Sequence, residues 1–105
     1  MASLTVKNDL DYTDILVSDT GGHFQRVRVR KNGGDQTRNT NLPDTLIITP
    51  ADGGRFHDDC IACWKEARKP AYPDTENKRI EITIGNDQRD PDNGNNVTVG
   101  TNQPC

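Results

Sequence analysis

Arg79-Ile80-Glu81-Ile82-Thr83-Ile84 alternates polar with apolar at every step. A period of two puts Ile80, Ile82 and Ile84 on one face and Arg79, Glu81 and Thr83 on the other, the pattern of a strand with one buried face. Stiff β-branched side chains suit that pleated surface. Weaker versions of the pattern recur along the chain. Ser3–Asn8 carries Leu4 and Val6 on one face, and Thr13–Ser18 carries the run Ile15-Leu16-Val17. Phe24–Lys31 sets Val27 and Val29 against Arg26, Arg28 and Arg30, Thr45–Thr49 holds Leu46-Ile47-Ile48, and Val97–Val99 comes last. Turn-forming segments rich in Gly, Asn and Asp lie between many of them, among them Asp19-Thr20-Gly21-Gly22.

These runs predict a mainly β chain: a small antiparallel β-sandwich or partly open barrel of about six strands. An α+β sheet with the helix packed on one side is the alternative. One short helix interrupts the strands. In the stretch from His57 to Pro70, Cys60, Cys63, Trp64 and Ala67 fall at i, i+3, i+4 and i+7, one face of a helix over about residues 58–69. Asp58 or Asp59 suits its N-terminus, Arg68 and Lys69 its C-terminus, and Pro70 ends it. The expected core is Leu4, Val6, Ile15, Val17, Val27, Val29, Leu46, Ile48, Ile80, Ile82, Ile84, Val99 and Trp64, with Trp64 largely buried. Nothing in the chain suggests a second domain, so residues 1–105 form one unit.

The helix stretch also carries the most reactive residues. Packing alone explains Cys60 and Cys63, because a free thiol behaves as a small hydrophobe. His57-x-x-Cys60-x-x-Cys63 also has ligand types and spacing that zinc accepts, with Cys105 or His23 as a further ligand. A single Cys-x-x-Cys is a weaker zinc signal than two such pairs. A dithiol redox pair is the third option, since a helix N-terminus stabilises a thiolate.

Arg26, Arg28 and Arg30 fall in a row on one face of their strand, successive guanidinium groups about 7 Å apart. The expectation is an exposed face whose charges pair with acidic neighbours. The functional alternative is an anion site for phosphate, sulfate or a carboxylated partner, with His23 joining it. Asn32–Asn41 is entirely polar and is expected to be a recognition loop or a mobile one. Asn86–Asn96 joins the last two strands as the tip of a hairpin. Its Asp87, Asp90 and Asp92 are oxygen donors of the kind calcium prefers, although Gly94 falls one position early for an EF-hand and no bidentate Glu follows. Asn93-Gly94 is equally an ordinary turn signal.

Composition narrows the function classes. Hydrophobic residues make up 30% and aromatic residues 5%, so the core must be small. A net charge of -3 argues against non-specific nucleic-acid binding. No stretch is long and apolar enough to span a membrane, and the N-terminal residues lack a signal-like apolar run. The expected location is the cytoplasm, with a mature exported chain as the alternative. No Ser-centred elbow, Gly-x-Gly-x-x-Gly or P-loop is present, although a Cys–His pair assembled in space would leave no such trace.

The leading expectation is a non-catalytic binding module that presents polar Asn/Asp/Gly-rich loops to a carbohydrate or a protein partner. A thiol or zinc protein centred on His57, Cys60 and Cys63 is the second class. An assembly subunit that forms a homo-oligomer through strand edges or Cys105 is the third.

Overall fold

The computed structural model describes residues 2–40, 43–57, 59–69, 79–85 and 96–101. The chain is mainly β. Its strands are β1 (Ala2–Asn8), β2 (Ile15–Asp19), β3 (Val27–Val29), β4 (Gly34–Thr40), β5 (Leu46–Pro50), β6 (Arg79–Ile84) and β7 (Asn96–Gly100). They form two sheets, ordered β4-β1-β6-β7 and β3-β2-β5, that do not join into a barrel. Inward side chains of both sheets meet in one core: Leu4, Val6, Ile80, Ile82 and Ile84 from the first, Ile15, Val17, Val29, Leu46 and Ile48 from the second. No helix among the described residues is long and apolar enough to cross a membrane.

Strand direction departs from expectation. The three-stranded sheet is antiparallel, but β6 runs parallel to β1, with Leu4 opposite Ile80 and Val6 opposite Ile82. β7 in turn runs parallel to β6, so these two do not form a hairpin. Parallel neighbours require a crossover. Residues 86–95, which join β6 to β7, lie outside the described residues. Alternation assigns faces to a strand but carries no information about its direction.

The polar segment Asn32–Asn41, expected as a loop, contains β4, an edge strand paired along its whole length with β1. Gln36 and Arg38 sit opposite Val6 and Leu4 and therefore share their inward face. Both are half-buried. Arg38 lays its guanidinium 5.3 Å from the centre of the Phe24 ring, and its Nε donates to the His23 carbonyl at 3.2 Å. Long polar side chains thus do the covering that apolar ones do elsewhere, and an inward charge discourages further pairing at this edge.

β3 is shorter than the predicted Phe24–Lys31. The Asp19 carboxylate accepts the Phe24 N–H at 3.2 Å, and the Asp19 N–H donates to the Phe24 carbonyl at 3.0 Å. This closes a loop that buries Phe24 and leaves Arg26 at a φ of 52°. Asp19 Oδ2 is buried without a hydrogen bond, 3.7 Å from His23 Nδ1.

The helix is also shorter than residues 58–69. It consists of α1 (Asp59–Ala62) and a 3-10 turn (Cys63–Lys65). Beyond it the backbone extends, and Arg68 bridges the edge of β5: the Leu46 N–H donates to the Arg68 carbonyl at 2.8 Å and the Arg68 N–H returns to the Leu46 carbonyl at 3.0 Å. Pairing with a free sheet edge outcompetes another helical turn. Without that turn the expected stripe does not form. Ala67 is exposed, Trp64 is only half-buried against the core, and Ile61 is the residue of this segment that enters it. Leu10, Phe24 and Ala51 are further core residues not expected from periodicity. Val27 is partly buried, and the side chain of Val99 lies outside the described residues.

Asn8 ties the two sheets together. It ends β1 with its side chain fully buried. Its amide nitrogen donates to the Thr13 carbonyl at 3.0 Å and the Val29 carbonyl at 3.1 Å, while its side-chain oxygen accepts the Leu10 N–H at 3.0 Å. Only this amide orientation satisfies all three partners. The Asn8 carbonyl also accepts the Gly33 N–H at 2.7 Å, anchoring the turn from β3 into β4.

Asn8→Ala removes three hydrogen bonds to buried backbone groups and should cost about 2–4 kcal/mol. Asn8→Asp, nearly isosteric, should cost at least as much, because a carboxylate would face two carbonyls. Urea unfolding checks both, and losses below about 0.5 kcal/mol would remove this role. Ile61→Ala should cost about 2–4 kcal/mol, more than Trp64→Ala, by the same measurement.

Candidate functional site

The site lies where three segments of the antiparallel sheet end. Asp14 immediately precedes β2, and its carbonyl accepts the Ala51 N–H at 2.9 Å, which holds the chain leaving β5 beside it. Asp52 and Gly53 then turn with φ values of 56° and 72°, and the Gly54 N–H donates to the Ala51 carbonyl at 3.0 Å. This tight reversal brings Asp52 to Arg28, which reaches across from β3.

Arg28 lies between two carboxylates. Its Nε donates to Asp14 Oδ2 at 2.9 Å, its Nη1 to Asp52 Oδ1 at 3.3 Å, and its Nη2 to the second oxygen of Asp52. Asp14 Oδ1 accepts the Lys31 N–H at 2.9 Å. That backbone hydrogen bond, with the Arg28 guanidinium, holds the Asp14 carboxyl below the usual carboxylate range despite opposing desolvation. Hydrogen bonding to Arg28 lowers Asp52 likewise. In return Asp52 first, then Asp14, makes Arg28 harder to deprotonate.

Beside this array Tyr12 and His57 stack, ring centres 4.0 Å apart and planes 7° from parallel. The His57 N–H donates to the Tyr12 hydroxyl at 3.1 Å. The hydroxyl keeps its own proton for another acceptor, and the exposed imidazole offers a flat surface. Together these groups line an open cleft of about 360 Å³, completed by Thr13, Lys31, Ala51, Gly54 and Arg55.

The arginines singled out in the sequence do not form a row. Arg26 lies outside β3 with a left-handed backbone, Arg28 is held by Asp14 and Asp52, and Arg30 points to Asp14 at 4.0 Å. His23 sits in the β2–β3 loop, close to Asp19. The chain's own carboxylates thus occupy Arg28.

His57 belongs to the cleft through its stack on Tyr12. Cys63 is in a disulfide, whose partner must be Cys60 or Cys105, the other cysteines of the chain. A disulfide sulfur is not a thiolate, so Cys63 would bind zinc only after reduction. Cys60 lies in α1, but its side chain, like Cys105, is outside the described residues, as are Asp87, Asp90 and Asp92 of the calcium expectation. Among the described residues no group of three or more His, Cys, Asp or Glu side chains is arranged to hold a metal.

Tyr12, Asp14, Lys31, Asp52 and Arg55 carried no motif in the sequence. They come from segments that only strand pairing brings together.

The array should make stability fall in acid. Asp14 and Asp52 both titrate lower when folded than the ordinary value of 3.8. Their contribution is therefore present above that value and is lost as pH falls through the folded-state values, because the unfolded chain takes up protons first. Thermal melting from about pH 6 down to about pH 2.5 should show the decline, and Arg28→Gln should flatten it. An unchanged slope in Arg28→Gln would separate the array from acid stability.

No family model, curated protein or solved structure matches this chain.

Proposed function

We propose that the chain is a small non-catalytic binding module whose binding surface is the Tyr12–His57 cleft, and that its ligand is rich in hydroxyl groups, in the manner of a carbohydrate. The carrying observation is the pairing of an exposed, stacked imidazole with hydrogen-bonding groups fixed before any ligand arrives. Sugar rings place C–H faces on aromatic surfaces and direct hydroxyls at carboxylates and charged donors. Asp52 is 73% exposed and retains lone pairs after pairing with Arg28. The Tyr12 hydroxyl supplies a donor within the same cleft. Two salt-bridged carboxylates and a stacked ring lose little freedom on binding, so more of the contact energy appears as affinity. The binding surface in this proposal is a strand-end cleft, whereas the polar stretch around Asn32–Asn41 supplies edge strand β4.

Titration of isotope-labelled protein with neutral and acidic oligosaccharides tests the proposal. Amide shifts should cluster at Tyr12, Lys31, Asp52 and His57, and His57→Ala should weaken binding by about tenfold or more while leaving the fold intact. An absence of shifts with every saccharide, or shifts confined to another face, would overturn it.

A further inference from the structure

The Tyr12–His57 cleft does not end at Arg55. A second cleft of about 330 Å³, lined by Pro50, Phe56, Ala62 and Lys65, shares Gly54 and Arg55 with it. The two clefts adjoin at Gly54 and Arg55, with Lys31 lining the first, Arg55 common to both and Lys65 lining the second. All three cations are exposed, and none of their side chains makes a hydrogen bond or ion pair with a described residue. The carboxylates of the two clefts, by contrast, are engaged: Asp14 and Asp52 share Arg28, and Asp14 takes the Lys31 N–H as well. The charge left available to a ligand is therefore positive, on a chain whose net charge is -3. A flat surface accompanies each half, the imidazole of His57 in the first and the half-buried ring of Phe56 in the second.

We infer that the two adjoining clefts bind an acidic oligosaccharide, with carboxylate or sulfate groups at Lys31, Arg55 and Lys65 and sugar rings against His57 and Phe56. This rests on the carbohydrate reading of the first cleft and extends it to the charge and length of the ligand. A nucleic acid strand fits less well. Its phosphates recur at every nucleotide, whereas the two clefts together present three cations without a described partner, set among hydroxyl-binding groups. Hydroxyls beside Asp52 and sparse anions beside the cations match the mixed lining.

The experiment is calorimetric titration of the full chain with a hexasaccharide in which uronic acids alternate with neutral sugars, with the same hexasaccharide methyl-esterified, and with a thymidine oligonucleotide. The acidic sugar should bind at least about tenfold more tightly than its ester, and added salt should narrow the gap. Arg55→Gln and Lys65→Gln should each weaken the acidic sugar by about threefold to tenfold and the ester by distinctly less. Equal affinity for sugar and ester at the cleft would overturn the charge inference and leave the binding module standing. Binding of neither would overturn both. Tighter binding of the oligonucleotide than of the acidic sugar would replace the saccharide with a nucleic acid as the occupant.

Discussion

One buried amide holds this fold in register. Asn8 stands where β1 leaves the four-stranded sheet, and its side chain spans to the carbonyls of Thr13 and Val29, at the start of β2 and the end of β3. Both carbonyls are buried at the rim of the smaller sheet, where the loss of a donor is costly. Asn8 supplies that donor while its own backbone anchors the turn into β4. The relative placement of the two sheets, and so the position of every strand end, follows from these bonds together with the shared apolar core.

The strand ends then determine what the surface can do. Register in the smaller sheet sets Leu16 opposite Arg28 and Ile15 opposite Pro50. Asp14, Arg28 and Asp52 consequently converge from three segments, and Arg28 holds both carboxylates. Lys31 and Arg55 line the same cleft as Tyr12 and His57. Arg28, the central one of Arg26, Arg28 and Arg30, is paired with Asp14 and Asp52, whereas the side chains of Lys31 and Arg55 have no partner among the described residues.

The disulfide at Cys63 changes the chemistry open to the helix segment. As a free thiol, Cys63 would be a core filler or a metal ligand. As part of a covalent link it restrains a segment with only one short helical turn and one 3-10 turn, while Ile61 supplies the buried contact and the bridge between Arg68 and Leu46 supplies the hydrogen bonds.

Local alternation was enough to determine the mainly β character, the positions of β1, β2, β5 and β6, and most of the core. Burial of one face imposes a period of two on any strand whatever its partners. Four things were left to tertiary structure. The parallel course of β6 and β7 leaves no mark on alternation. β4 buries the stems of Gln36 and Arg38 instead of apolar side chains, so its periodicity is hidden. The helix ends early because Arg68 finds a free strand edge. The cleft joins Tyr12, Asp14, Lys31, Asp52, Arg55 and His57 from three stretches of chain, each ordinary by itself. A sequence records which side chains must be dry; which polar side chains meet one another depends on long-range pairing, and that is decided only when the two sheets close on their common core.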